Sequence, residues 1–321
     1  MSETDSTVQW LLEGDPAIRW QTLRDLAGAS DRAVQREQSE VAEEGWGARL
    51  LERQEASGRW TRGIYTPKWT STTYTIVLLH SLGLPPEHPQ ALKGCRVLLD
   101  KGESADGGFN CWKGLKHSET CVTGMILGAA AYFRLKDDRL HRYADYLLGQ
   151  QMKDGGWNCR SYWGATHSSM HTTILALEGL LEYERYTSRN AAAVREVQDR
   201  GREFLLRHRL FKSHRTGKVI KPEWTRFSFP PRWHYDVLRG LDYFRACNAP
   251  RDERLMDAVE IVRQRRRPDG RWILQNRYPG KTFFEMERVG QPSRWNTLRA
   301  LRVLKWWEAP AGPIDTRAAE W

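Results

Sequence analysis

Two histidines, His171 and His234, the aspartate Asp236 just after the second, and Cys121 are the residues of this chain best equipped for chemistry. Neutral imidazole, thiolate and carboxylate all suit zinc, so the four make a candidate metal set, with zinc or magnesium as the ion. His234 and Asp236 alone make a candidate general acid/base pair without metal. A third reading has all four as satisfied polar groups that line a wet pocket or cap helices. Two extended loops add to them. Residues 221–236 (KPEWTRFSFPPRWHYD) carry Arg226, Arg232 and Trp233, and residues 278–288 (YPGKTFFEMER) carry Lys281, Glu285 and Glu287, with Arg294 and Trp295 close behind. The cations are candidate anion binders, Phe227, Phe229, Phe283 and Phe284 candidate apolar walls, and the two glutamates candidate acids. A structural alternative is that both loops simply fill and close one end of the fold.

These residues share a register. Six predicted helix starts align into one column of Trp20, Tyr74, Cys121, His171, His234 and Trp295. Two positions on, the column reads Thr22, Ile76, Thr123, Thr173, Asp236 and Thr297. In a closed ring of helices those starts meet at one mouth of a central cavity, where free N–H groups and positive dipole ends favour anions. Trp69, Trp112, Trp163 and Trp233 fall just ahead of helix starts and are candidate liners of the same space.

The elements that must position them are helices. Period-2 runs and Asn-Gly hairpins are missing, whereas 3.6-residue periodicity is strong. A short helix around Val8–Leu12 ends at Gly14-Asp15-Pro16, which starts a second over 17–26. Further pairs are predicted over 31–54 (broken near Gly45) with 71–82, 88–102 with 117–135, 138–153 with 167–186, 191–210 with 230–246, and 252–267 with 291–307. The first helix of each pair has a charged face, as in Asp199–Arg207. The second is apolar almost all round, as in Cys121–Ala131 and Thr172–Leu181, and such a helix is buried. Six polar-faced helices outside six buried ones predict an all-α, (α/α)6 toroid, with residues 1–321 as one domain.

The joints between helices repeat. They read Gln54-x-x-x-Gly58-Arg59-Trp60, Asp106-Gly107-Gly108-Phe109, Gln151-x-x-Asp154-Gly155-Gly156-Trp157 and Gln264-x-x-x-x-Asp269-Gly270-Arg271-Trp272, with a looser copy at Glu223-Trp224. Their aromatic residues lie 49, 48, 67 and 48 positions apart. A period of that size marks stacked supersecondary units. Asn110-Cys111 and Asn158-Cys159 follow two of the turns identically, and His117 and His167 come at comparable distances. The paired Cys and His of adjacent units are a candidate zinc set; the alternative is that Asn supports the turn and Cys packs as a small apolar group.

The Gln-x(3–5)-Gly-x-Trp turns resemble the QW repeats of squalene and terpene cyclases and the related repeats of protein prenyltransferase β subunits. Gln54–Trp60, Gln151–Trp157 and Gln264–Trp272 carry the resemblance. The Phe109 copy lacks the Gln, and the Trp224 copy lacks both Gln and Gly. The resemblance implies a toroid whose turns join outer to inner helices, and a cavity that holds an isoprenoid or another apolar or amphiphilic small molecule. The D-x-D-D proton donor of class II cyclases is absent, and Asp137-Asp138 reads as a solvated helix start. The chain is also about half the size of the two-domain cyclases. Prenyltransferase β subunits work with a partner, so the resemblance leaves room for a second subunit. Two other functions stay open: a non-catalytic binding or scaffold toroid, and a carbohydrate-active toroid that pairs Asp236 with Glu285 or Glu287.

Composition narrows the classes. The net charge of +10 comes from 50 Lys and Arg against 40 Asp and Glu. The cations are interspersed with acids along helices, as in 251–267, so a nucleic-acid partner is not expected. The longest uninterrupted apolar run, 122–133, has 12 residues, too few to span a bilayer. The polar, acidic start predicts no signal peptide. Five cysteines without CxxC spacing predict neither a disulfide framework nor a zinc finger. These features together predict a reduced, cytoplasmic protein.

Overall fold

A computed structural model describes residues 3–112 and 114–310. Thirteen α-helices form among them, and the only β pairing there is four isolated bridges. The first pair is α1 (Glu3–Leu12) with α2 (Pro16–Asp25), where Asp15 caps α2 by accepting the Ala17 N–H at 2.9 Å. The second has a broken outer helix, α3 (Asp31–Glu43) and α4 (Gly45–Leu51), and an inner α5 (Thr72–Leu82). The break falls at Gly45 for two reasons: its φ is +71°, and a Cβ there would lie 2.2 Å from the Asp15 carboxylate. The remaining pairs are α6 (Pro89–Gly102) with α7 (Thr120–Tyr132), α8 (Arg139–Gly149) with α9 (Met170–Tyr186), α10 (Ala191–Arg207) with α11 (Val237–Ala246), and α12 (Met256–Gln264) with α13 (Arg294–Glu308). The predicted all-α fold and its pairing are what forms. The last outer helix is shorter than expected, because Glu253–Leu255 winds as a 3₁₀ turn ahead of it.

The repeated turns explain the repeated pairing. The indole N–H of Trp60, Trp157 and Trp272 donates to the carbonyl ten residues upstream (Leu50, Leu147 and Val262) at 2.6–2.8 Å. Each aromatic therefore ties off the last turn of its own outer helix, whose carbonyls would otherwise be unpaired. The backbone N–H of Trp60, Phe109, Trp157 and Trp272 donates to a threonine hydroxyl on the following inner helix: Thr72, Thr123, Thr173 and Thr297. Gln54 and Gln151 reach across to carbonyls of the next unit, at Gln90 (2.8 Å) and Val197 (2.7 Å). Asp106 and Asp154 each accept the N–H and hydroxyl of the serine before an inner helix, Ser118 and Ser168.

The inner helices close on themselves. Trp20 on α2 donates to Leu82 O at the end of α5. At the tightest contact, α7 on α9, a Cβ on Gly124 would meet Leu175 O at 2.5 Å, and one on Gly179 would meet Gly124 O at 2.3 Å. The last inner helix returns to the first through Arg302, which donates to Gln21 at 2.9 Å and Asp25 at 3.3 Å. No helix among the described residues is long and apolar enough to cross a membrane.

Candidate functional site

A cavity of about 780 Å³ lies inside the ring, lined by all six inner helices. It reaches past the C-terminal ends of α5, α7 and α9, since Gly83, Glu87, Arg134, Lys136 and Thr187 border it. Trp20, Met125, Leu175, Phe229 and Trp295 supply its apolar surface. Phe229 stacks on Trp295 at 4.0 Å between centroids, 11° from parallel. The indole N–H of Trp295 is buried and has no hydrogen-bond partner among the described residues.

Around that apolar surface runs a charged collar. Eight cations (Arg24, Arg134, Lys136, Arg185, Arg239, Arg245, Arg299 and Arg302) face the cavity against four carboxylates (Glu87, Glu178, Glu182 and Asp242). Glu87, Arg134 and Lys136 stand on exposed loops past the helix ends, whereas the collar residues on the buried inner helices need partners, and Glu178, Arg239, Asp242 and Arg302 have them. Arg239 grips Glu178 with two N–H···O bonds of 2.8 and 2.5 Å, and its third arm holds the carbonyls of Arg232 and His234. Arg302 forks onto Asp242, while Arg245 reaches the same carboxylate at 2.8 Å and Arg299 at 3.8 Å. Burial pushes the Asp242 carboxyl up, but those three arginines outweigh it and hold the group well below the usual carboxylate range. Asp242 is therefore an anion at neutral pH and no proton donor. Burial likewise pushes the His80 imidazole down, against the opposing pull of Glu182 at 4.0 Å.

The expected site lies at the other end of the ring, where the helix starts do not face an open space. The loops ahead of α5, α11 and α13 fold over the helix starts with their rings. His234 lies between Trp233 (3.7 Å) and Tyr278 (3.5 Å). His171 packs edge-on to Trp224, Trp233 and His234, and its Nδ1 accepts the Tyr235 N–H at 2.8 Å. Trp69 stands edge-on to Tyr74 and donates to Pro279 O, and the Tyr74 hydroxyl donates to Tyr65. Burial, helped by nearby cations, pushes His171 down to about 4 and His234 to about 3. Both are neutral members of an aromatic plug.

The proposed acid and metal ligands disperse in the same way. Asp236 is fully buried as the cap of α11, with one oxygen on the Arg239 N–H (2.8 Å), the other on the Ser228 N–H (3.2 Å), and Arg299 at 3.8 Å. Cys121 lies beside Cys159, whose Sγ accepts its backbone N–H. No group of three or more His, Cys, Asp or Glu side chains among the described residues is gathered to hold a metal, so the four-residue ligand set does not assemble. Glu287 holds the start of α13, accepting from Ser293 Oγ and the Trp295 N–H, whereas Glu285 is exposed and paired with Arg277. The carboxylates proposed as a sugar-cleaving pair thus have separate structural partners.

Among the expected anion binders, Arg226 and Lys281 are exposed, and Arg294 bonds Trp10 O and covers its ring. Arg232 is buried over the Trp69 ring, with one terminal nitrogen lacking a partner. Of the residues picked from sequence, Trp20 and Trp295 from the aligned helix starts border the cavity, as does Phe229 from the expected apolar walls. The collar was missed, yet its signal is present: Glu178, Arg239, Asp242, Arg299 and Arg302 interrupt helices whose other residues are those of a core.

No protein-family model and no curated protein matches the sequence. Solved structures do. The chain is similar to a protein from Actinoplanes at 16% identity over 95% of this chain and 98% of that one, with a TM-score of 0.49. It is similar to the apo type II terpene cyclase MstE from Scytonema at 15% identity, covering 94% of this chain and 96% of that one, with a TM-score of 0.48. A variant of that cyclase in complex with geranylgeranyl dihydroxybenzoate gives 16% identity, coverages of 95% and 96%, and a TM-score of 0.47.

Proposed function

We propose that residues 1–321 form one domain whose central cavity holds an amphiphilic small molecule of the isoprenoid class, as a terpene cyclase-like or prenyltransferase-like enzyme would. One observation carries the reading: the cavity joins an apolar surface of Trp20, Met125, Leu175, Phe229 and Trp295 to a collar in which cations outnumber carboxylates. A hydrocarbon chain gains about 25 cal/mol for each Å² it removes from water against the first. An anionic head group gains charge-assisted hydrogen bonds from the second. The chemistry that fits is one in which a diphosphate or carboxylate is gripped, or leaves, at the collar while the carbon skeleton lies on the rings, whose π faces stabilise positive charge. Olefin protonation fits less well, because Glu178, Glu182 and Asp242 each face an arginine.

Met125→Trp tests the reading by filling the apolar end. Calorimetric titration with geranylgeranyl diphosphate should show binding to the wild-type protein and a loss of about tenfold or more in the variant, the scale expected when roughly 1.4 kcal/mol of contact is blocked. Equal binding by the two proteins would place the ligand elsewhere and overturn the proposal.

A further inference from the structure

The five thiols of this chain are not equivalent. Cys95 is sealed in the core, and burial pushes it up to about 12. Cys247 donates to Phe244 O, and Cys111 donates to Glu119 at 3.8 Å. Cys159 differs from all of these. Its Sγ accepts the backbone N–H of Cys121, 38 positions away, at 3.1 Å and the hydroxyl of Thr172 at 3.5 Å. Cys121 is the second residue of α7, so its N–H belongs to a first helical turn, where the dipole favours negative charge. Both residues keep part of their surface open to solvent.

We infer that Cys121 and Cys159 form a thiol–disulfide couple, oxidised by low-molecular-weight disulfides. Cys159 is the attacking sulfur and Cys121 the resolving one. Among the cysteines, only the Cys159 thiol is held below its ordinary range, chiefly by the Cys121 thiol bonded to it and against the cost of burial. That hydrogen bond also pushes Cys121 up, and burial adds to it. Glu119 and Cys111 are the other ionisable groups whose charge reaches the pair: Glu119 opposes negative charge on either sulfur, and Cys111 opposes it on Cys121.

In the first step the Cys159 thiolate bonds to one sulfur of the external disulfide, and the other sulfur leaves as a thiolate that takes up a proton. Cys121 then loses its proton to solvent, and its sulfur displaces the bound fragment from Cys159 as a second thiolate, which is protonated in turn. Two electrons pass from the protein dithiol to the external disulfide, which ends as two free thiols. The new bond ties the start of α7 to the turn ahead of α9. This inference is independent of what the central cavity holds.

Incubation of the full chain with oxidised glutathione, followed by peptide mapping by mass spectrometry, tests it. The expected product is a reducible Cys121–Cys159 peptide. C121S should stop at a glutathione adduct on Cys159, and C159S should lower the fast thiol reactivity by about tenfold, the range over which thiolate fraction governs exchange. If the wild-type map shows Cys111 or Cys247 modified first, or no Cys121–Cys159 peptide, the inference is overturned without reference to either variant.

Discussion

His171 and His234 show how one residue type can serve chemistry or packing according to what surrounds it. His171, edge-on to Trp224 and Trp233, and His234, stacked on Trp233 and Tyr278, are each held neutral well below the ordinary histidine value near 6.5. In the unfolded chain both regain that value, so between about pH 6.5 and 4 the unfolded state binds more protons than the folded one. Stability conferred by the neutral imidazoles is therefore present above pH 6.5 and drains away as the pH falls. Urea denaturation should show a loss on the order of 1 kcal/mol per pH unit per histidine across that window. The slope should be shallower in H171Q, which keeps a side-chain acceptor for the Tyr235 N–H. A bell-shaped activity profile centred on these histidines, with no change in the stability slope, would contradict the packing role. Residue types alone could not choose between a reactive site and the capping, end-closing alternative, because His, Asp and Cys at aligned helix starts look the same whether they face solvent or lie under a loop. The three loops that cover them are irregular, with no periodicity to show which way their rings turn.

At the scale of elements, the structure depends on how closely α7 and α9 approach. Gly124 and Gly179 bring their backbones together, with no room on either side for a Cβ. Gly179 borders the cavity, and α9 also carries the collar residue Glu178. Gly179→Val should therefore cost about 1–3 kcal/mol, the usual penalty for overpacking a close contact, and should shift the collar together with the helix. Thermal unfolding checks the first effect and ligand affinity the second; a variant as stable as the wild type would show that the helices part without cost. Helix positions and pairing were legible in the sequence because turn and helix agree: the Gly and the aromatic residue of four joints stand two positions apart, and three of those indoles bond the carbonyl ten residues upstream in their own outer helix. The closeness of α7 to α9 was only hinted at by the small residues of Gly124–Ala131. Two collar residues on one helix, such as Arg239 and Asp242, stand three positions apart, and the partners that tie them across the ring, Glu178 and Arg302, lie on other helices. Period alone could not connect them.

For the whole molecule, closing the ring turns those separate charges into one feature. Arg302 belongs to the last inner helix, Asp242 to the one before and Asp25 to the first, and their bonds both shut the ring and build the collar. The aromatic plug closes the opposite end. The cavity thus presents an apolar interior with a cationic collar toward its C-terminal end. The central claim is that a ligand is recognised by both parts together. Calorimetric titration of the wild-type protein with geranylgeranyl diphosphate and with geranylgeraniol, which differ only in the head group, tests it most directly. The account predicts that the diphosphate binds at least about tenfold more tightly, an advantage of roughly 1.4 kcal/mol or more, which shrinks as salt screens the collar. Equal affinity for the alcohol, insensitive to salt, would contradict it.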